Sequence, residues 1–392
     1  MTSTDFRPGK RLAAIGRLWG TSLLLLSCML APASADVREV PSKKASLLVE
    51  PVATGLASPW AVEVLPDGAY IVTEKRGALR IVRNGEASEP IRGVPRVAAT
   101  GQGGLLDVAL ARDFSTSRIL FLTYSAPGRG GAGTAVARAR LSDDEKSLEE
   151  VRQIFVMNRL TGRRQHFGSR IAIAADGSLF LGIGDRGQQA RAQNPRDHAG
   201  SILHINPDGT IPGNNPYADL NGGLPEIWSK GHRNPQGIDI DPKDGTLVTV
   251  EHGARGGDEV NYPQPGKNYG WPIISYGKHY SGAEIGDGTS KDGHEQPAYY
   301  WDPSIAPSAI AVYRGAMFPE WDGNLLVAAL KYQLLARLER DDAGEILSEE
   351  RLLDGEYGRL RDVKVAPDGS VLLLTDGEDG QLLRLHRAPS SH

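Results

Sequence analysis

The sequence predicts an all-β protein folded as a six-bladed β-propeller. Apolar runs in the 392 residues are short, and turn residues separate them. The 47 glycines and 25 prolines are spread along the chain, so they indicate turns between strands rather than a disordered tract. A structural unit also recurs along the chain, and repeated small sheets stack around an axis as propeller blades.

The recurring unit is a turn containing Asp, usually Asp-Gly, followed by two apolar strands with a small or polar turn between them. Each unit forms a β-hairpin core that cannot bury both faces alone, so it must pack on its neighbours. A β-sandwich or two small barrels would explain the alternation of strands and turns, but not this recurrence. The six starts are Asp67, Asp113, Asp176, Asp244, Asp322 and Asp368.

The chain after residue 35 is predicted to be a single domain, residues 36–392. No linker rich in Pro, Ser or charge divides it. Residues 141–151 are the one stretch whose pattern favours a helix.

Residues 1–35 have the pattern of a secretory signal peptide. Basic residues precede the apolar run at 23–30, and the small residues Ala33 and Ala35 predict cleavage after Ala35. The apolar run is shorter than the roughly 20 residues that span a bilayer, which disfavours an uncleaved anchor. A lipoprotein signal around Cys28 is the other alternative. We therefore predict a periplasmic or secreted protein without stable membrane insertion.

The charge balance excludes a protein held to nucleic acid by a basic surface. The chain has 44 basic and 48 acidic residues, and loss of residues 1–35 leaves 40 and 47. Cleavage would also remove Cys28, the only cysteine, so the mature chain would have no disulfide and no thiolate chemistry.

Several ionisable residues lie in Gly-rich turns, where ligands of propellers usually bind. His166 could accept a proton near neutral pH, although a single loop histidine is more often structural. Arg359 and Arg361 point the same way if extended, which suits a polycarboxylate or phosphate, or else a solvated edge. Lys331 ends an apolar run, where either its charge pairs with an anionic group or its side chain extends along the apolar surface to place the charge in water. The loop with Glu259 could bind calcium.

Five Gly-rich or polar segments stand out along the chain: residues 101–105, 165–168, 230–235, 251–259 and 359–362. In this order they resemble the soluble sugar dehydrogenases that depend on pyrroloquinoline quinone (PQQ), closest to the bacterial aldose sugar dehydrogenase branch. The similarity extends from about residue 53 to 385, and it includes residues 200–216, 268–272 and 305–308. That family is a six-bladed propeller, in agreement with the repeats.

The resemblance implies that His166 is the general base that takes the proton of the sugar's anomeric hydroxyl while hydride passes to PQQ. A base with an ordinary pKa near 6.5 suits this step. The residues implied to bind the cofactor are Gln102, Arg233, Asn234, Lys331, Arg359 and Arg361.

The resemblance also implies calcium sites. The main chain at Gly253 and Ala254 would hold the calcium ion that polarises the quinone. Glu259 and the main chain at Tyr269 would hold a second, structural calcium ion. Two departures leave details open. Gln165 stands where glucose-specific members often have an acidic residue, and the calcium pattern drifts beyond Trp271.

The implied function is oxidation of an aldose sugar to its lactone, with electrons passed to an external acceptor by a monomer or homodimer. A calcium-dependent propeller hydrolase of the lactonase type is one alternative. It requires several converging carboxylates and leaves Lys331, Arg359 and Arg361 unexplained. The other is a non-catalytic binding propeller, in which the base, the cations or the calcium loop should have eroded.

Overall fold

A computed structural model describes residues 37–389, which form six antiparallel sheets arranged as a six-bladed β-propeller. The fold predicted from the repeats is confirmed. The predicted signal peptide lies outside the described residues. Within residues 37–389, no helix is long and apolar enough to cross a membrane.

The blades follow one another along the chain, and each contains at least four strands. The first two strands are β1 (Arg38–Val40) and β2 (Leu47–Leu56). Blade 1 has β3 (Pro59–Val64), β4 (Tyr70–Glu74), β5 (Ala78–Arg83) and β6 (Glu86–Ala87). Blade 2 has β7 (Leu105–Leu110), β8 (Ile119–Gly128), β9 (Gly131–Leu141) and β10 (Leu148–Val156). Blade 3 has β11 (Ile171–Ile173), β12 (Leu179–Ile183), β13 (Ser201–Ile205) and β14 (Ile227–Lys230).

The remaining blades have the same order, with the innermost strand first. Blade 4 has β15 (Pro235–Ile240), β16 (Leu247–Glu251), β17 (Asp258–Asn261) and β18 (Tyr299–Trp301). Blade 5 has β19 (Pro307–Val312), β20 (Leu325–Ala329), β21 (Leu335–Arg340) and β22 (Ile346–Leu352). Blade 6 has β23 (Leu360–Val365), β24 (Val371–Thr375) and β25 (Gly380–Arg387). Helical structure in residues 37–389 is limited to an α-helix (Phe114–Ser117) and two 3-10 helices (Gln189–Gln193, Pro319–Trp321).

Blade 6 closes the ring with strands from both ends of the described chain. Strand β25 pairs with β24 on one side and with β2 on the other, and β1 adds a fifth strand outside β2. Because the first strands complete the last blade, unfolding of either end exposes the edge of the same sheet.

The recurring Asp marks the same place in every blade. All six residues lie in the connection between the first and second strands. At Asp67, Asp176 and Asp368, a carboxylate oxygen accepts a hydrogen bond from the main-chain N–H two residues later, at 2.9 to 3.1 Å. The glycine that follows each of these three Asp residues has a positive φ of 84 to 88°, which an L-residue adopts only with strain.

The predicted helix at residues 141–151 is wrong. The segment forms a hairpin, because β9 ends at Leu141 and β10 begins at Leu148. The Asp144 side chain accepts hydrogen bonds from Ser142 Oγ and Lys146 N, and Glu145 has a φ of 60°. Side-chain bonds of this kind favour a turn over a helix, and pairing with β9 fixes the rest as strand.

Apolar side chains fill the spaces between neighbouring blades. Leu79 and Ile81 of β5 pack with Leu120 and Leu122 of β8 in one cluster. Further clusters join the later blades, and one joins blade 6 to blade 1 through residues such as Val62 and Leu374. Sheet faces therefore bury their apolar residues against the next blade around the ring.

One arginine on the axis of the ring connects all six blades. Arg170 lies directly before β11, the innermost strand of blade 3, and its side chain is buried. Its guanidinium donates to Asp107 Oδ1 at 3.0 Å and contacts Asp362 Oδ1 at 2.9 Å. The other acceptors are the main-chain oxygens of Trp60, Gln236, Ser308 and Arg361, at 3.1 to 3.5 Å.

We expect Arg170→Met to destabilise the ring strongly. The change leaves Asp107 and Asp362 as buried carboxylates without their cation, which typically costs about 3–5 kcal/mol of unfolding free energy. Denaturant titration measures the loss. Arg76→Met is the matched control, because Arg76 and its partner Glu378 are exposed and should contribute less than about 1 kcal/mol. Equal stability of the two variants would contradict a central role for Arg170.

Candidate functional site

Three adjoining cavities open where the innermost strands begin, and His252 lines all three. The channel cavity, about 270 Å³, is bordered by Lys75, Arg361 and Asp376. The side groove, about 690 Å³, runs along residues 253–256. The small cavity beside Glu259 is about 10 Å³, which is room for one water molecule or ion.

Cations dominate the channel cavity. Arg359 Nε and Arg361 Nη2 lie 2.9 Å and 3.2 Å from the same oxygen of Asp376, so the two guanidinium groups do point the same way. Lys75 Nζ donates to Gly101 O at 2.6 Å. Arg361 Nε is buried without a hydrogen-bond partner. One carboxylate thus faces three cations, which favours an anionic ligand.

His166 forms a close pair with Asp185 beside this cavity. His166 Nδ1 lies 2.6 Å from Asp185 Oδ1, and both side chains are buried. Burial is the largest effect on the histidine and lowers its pKa below 6.5, while the hydrogen bond with Asp185 opposes this. Because an ionised carboxylate only accepts hydrogen bonds, Nδ1 carries the proton and Nε2 keeps its lone pair.

The backbone around His166 is held in an uncommon conformation. His166 has a φ of 54°, and its N–H donates to Gln102 Oε1 at 2.6 Å. Gly168 follows at a φ of 64°, where a Cβ would lie 2.4 Å from Gly182 O. Non-glycine residues at positive φ are uncommon, and they concentrate at functional sites.

Asn234 lies under the same turn. Its Oδ1 accepts hydrogen bonds from Gly168 N at 3.2 Å and Gln236 Nε2 at 3.3 Å. Its Nδ2 is buried without a partner. Buried polar atoms are nearly always satisfied, so this donor is available for a ligand.

A buried carboxylate fixes the segment that carries Arg233 and Asn234. Glu251 Oε2 accepts from the N–H groups of both residues, at 2.6 Å and 3.4 Å. Its Oε1 is 2.8 Å from His232 Nδ1, and His232 Nε2 is 2.9 Å from Ser229 Oγ. This row of Ser, His and Glu has the order of a nucleophilic triad, but all three side chains are buried. It therefore braces the loop.

The small cavity is bordered by two neighbouring carboxylates. Glu251 and Glu259 share the Nδ2 group of Asn261, at 3.2 Å and 3.1 Å. Burial raises the pKa of Glu259 well above its ordinary value, and the charge of Glu251 raises it further. A bound cation would relieve this repulsion. Tyr269 and Gly253 border the same space.

The side groove is bordered by the Gly-rich loop and by several cations, among them Lys331. Gly253, Ala254 and Lys331 all border it. The Lys331 side chain is exposed and lies 5.1 Å from the ring of Tyr332. A Cβ at Gly253 would lie 2.1 Å from Gly256 O, so only glycine permits this close approach of the loop to itself.

No group of three or more His, Cys, Asp or Glu side chains in the described part of the chain is placed to hold a metal ion. A metal site here would need main-chain oxygens, as the resemblance implies. A further cavity of about 490 Å³ lies at the other end of the innermost strands. It contains none of the predicted site residues.

A model of the family described as glucose/sorbosone dehydrogenase matches residues 56–384 of the chain. The chain belongs to the glucose/sorbosone dehydrogenase family. The Escherichia coli aldose sugar dehydrogenase YliI is 40% identical over 346 residues, which cover 87% of this chain and 93% of that protein. This membership confirms the resemblance found in the sequence motifs.

Two solved structures of aldose sugar dehydrogenases match the propeller. The soluble enzyme from Escherichia coli, in its apo form, has a TM-score of 0.84 at 40% identity and covers 87% of this chain and 100% of its own. The PQQ-bound form of the enzyme from Streptomyces coelicolor has a TM-score of 0.73 at 28% identity, with 88% and 99% coverage.

The fold brings together all the residues that the family resemblance singled out. His166 and Asn234 do not border a cavity themselves, but each contacts a residue that does: His166 contacts Gln102, and Asn234 contacts Gly168. Their roles remain predictions. The channel cavity has Gln102, Arg359 and Arg361, the small cavity Arg233, Gly253, Glu259 and Tyr269, and the side groove Ala254 and Lys331.

Sequence reasoning gave no role to four residues of this site: Lys75, Asp185, Trp271 and Asp376. Asp376 comes directly after β24 and Lys75 directly after β4, and Asp185 follows β12 with Gly184 between them. A charge in the first turn after the second strand of a blade was thus the available signal. Trp271 offered no such signal, because its partners lie far away in the chain.

Proposed function

We propose that the chain is a PQQ-dependent aldose sugar dehydrogenase, which oxidises the anomeric carbon of an aldose to the lactone. The observation that carries the proposal is the buried His166–Asp185 pair beside a cavity bordered by three cations. A proton acceptor and an anion site side by side are what a sugar and an anionic hydride acceptor require.

His166 takes the proton of the anomeric hydroxyl at Nε2. Its pKa lies below 6.5, so the imidazole is neutral at pH 7 and its lone pair is available. Burial is the largest effect on Asp185 and acts to raise its pKa, but the hydrogen bond with His166, the charge of Arg233 and the N–H of Gly187 together hold the pKa below its ordinary value, so this carboxyl stays ionised. Asp185 therefore stabilises the imidazolium that forms as the proton arrives.

The cations, together with the buried N–H groups that have no hydrogen-bond partner, fit the three carboxylates and the carbonyl oxygens of PQQ. Arg359, Arg361 and Lys331 would hold the carboxylates, and Arg233, Asn234 and Gln102 the quinone end. The unpaired Asn234 Nδ2 and Arg361 Nε support this fit. When bound, PQQ supplies the hydride acceptor that no protein side chain can provide. Lys75 adds a cation that the family motifs did not indicate.

Main-chain oxygens at Gly253 and Ala254 would hold a calcium ion that acts as a Lewis acid, and Glu259 with Tyr269 a structural one. The raised pKa of Glu259 and the ion-sized cavity beside it support the second site. The hydrolase alternative needs several converging carboxylates, which residues 37–389 do not provide. Electrons pass to an external acceptor. The signal peptide predicted at residues 1–35 would direct export, so the enzyme would act in the periplasm or outside the cell.

Reconstitution tests the reaction class. Residues 36–392 are purified, and dye reduction is followed with glucose and other aldoses after addition of PQQ and calcium. We expect activity only with both additions, because the chain offers sites for both. Omission of PQQ and treatment with EDTA are the controls. Absence of both activity and PQQ binding would favour a non-catalytic propeller.

The variant His166→Gln tests the base. Loss of a general base typically slows a reaction about 10²–10⁴-fold, so we expect kcat to fall by this amount while PQQ binding measured by absorbance persists. The control is His386→Gln, since His386 lies in β25 of blade 6, borders none of the three cavities, and has its Nε2 atom 3.9 Å from Glu50 Oε2. A His166→Gln enzyme that keeps most of its kcat would disprove the assignment.

The variant Glu259→Gln tests the structural calcium site. A ligand that binds only the folded state raises the midpoint of thermal unfolding, so calcium should raise it in the parent protein. We expect this shift to shrink strongly in Glu259→Gln, because the amide removes the charge but keeps the shape. Glu378→Gln is the control at an exposed carboxylate. An unchanged calcium shift in both variants would place the ion elsewhere.

A further inference from the structure

The indole of Trp271 completes a hydrogen-bonded row that ends at the base. Trp271 Nε1 donates to Asp185 Oδ2 at 2.9 Å, and Asp185 Oδ1 lies 2.6 Å from His166 Nδ1. Oδ1 also accepts the N–H of Gly187 at 2.6 Å. Each carboxylate oxygen of Asp185 thus has a donor, and the donor of Oδ2 comes from 86 residues further along the chain.

Trp271 is itself fixed from several directions. Its N–H donates to Gly231 O at 2.9 Å, and its carbonyl accepts from Gln193 Nε2 at 2.7 Å. The ring is buried against Ala192 and Ala254, and the guanidinium of Arg233 lies 5.3 Å from its centre. A ring held this firmly can hold the carboxylate of Asp185 in one orientation.

We propose that Trp271 is a positioning residue, which sets the orientation and charge of Asp185 and thereby the proton affinity of His166. The proposal rests on the function proposed above. With the indole N–H in place, the Asp185 carboxylate cannot rotate, so His166 Nδ1 always faces an acceptor and Nε2 faces the substrate. The indole dipole also offsets part of the carboxylate charge that His166 experiences.

The charges around His166 fix the sign of the expected effect. Asp185 favours the imidazolium, whereas burial, Arg233 and Arg186 disfavour it. His252 is the other nearby titratable group, and burial keeps it neutral by lowering its pKa to about 3. Without the indole N–H, the Asp185 charge acts on His166 less attenuated. The pKa of His166 should therefore rise.

Trp271→Phe in the full chain removes this one donor and keeps an aromatic ring. We expect kcat/KM to fall on the order of 10-fold, as for other partners that orient a functional histidine. The acidic limb of kcat/KM should move to higher pH, because the base must be neutral to act. In the cofactor-free protein, NMR of ¹⁵N-labelled histidine should show the same upward shift, with His166 assigned by its absence in His166→Gln.

Trp228→Phe is the matched control. The Trp228 indole donates to Pro263 O at 3.2 Å, so this variant loses the same group away from His166. We expect it to leave the acidic limb and the His166 signals unchanged. A Trp271→Phe protein with a parental pH profile and a parental His166 pKa would overturn the proposal. An equal shift in both variants would also overturn it.

One measurement needs no variant of Trp271. In the unmodified protein, one indole N–H resonance should titrate with the pKa of His166 and lose that titration in His166→Gln. If no indole signal follows His166, the proposal fails. These histidine and indole signals do not depend on turnover, so they remain decisive even if His166→Gln keeps its activity and the proposed function is wrong.

Discussion

The contact of Arg170 with all six blades is the constraint on which the rest of the structure depends. A closed ring of sheets leaves a channel along its axis, and the innermost strands bring main-chain oxygens and two carboxylates toward that channel. A single guanidinium satisfies acceptors from the five other blades at once. It also borders the cavity at the ends of the innermost strands, which is distinct from the cavity at their start.

The candidate site is built at the points where strands begin or end, because there the main chain leaves the sheet and can bend. His166 at a φ of 54° and Gly168 at 64° depend on such a bend. Buried polar groups then hold the bend in place. Glu251 fixes the N–H groups of Arg233 and Asn234, and Gln102 fixes that of His166. The Glu251 contacts lie within blade 4, whereas the contact of Gln102 with His166 joins connections that are 64 residues apart, so this part of the site forms only when neighbouring blades pack together.

Local patterns were sufficient to predict the blades. An Asp-Gly turn with alternating apolar residues is decided by a few neighbouring residues, and all six marked turns were found. The segment 141–151 was misread because its charged residues suit a helix, whereas pairing with β9 decides its structure. The motif residues of the site were predicted from family resemblance. Lys75, Asp185 and Trp271 were not, because their significance lies in contacts across blades. An Asp after a strand acquires meaning only when a histidine and an indole meet it in space.

Burial shifts the pKa values of two groups at this site in opposite directions, and these shifts indicate which ligands the site would bind. Burial lowers the pKa of His166 and keeps its imidazole neutral, while it raises the pKa of Glu259. The channel cavity is bordered by three cations and one carboxylate, and the small cavity is bordered by two carboxyl groups and one cation. An anionic cofactor in the channel cavity and a divalent cation in the small cavity would offset the charges that border each one. We therefore expect each ligand to strengthen the binding of the other.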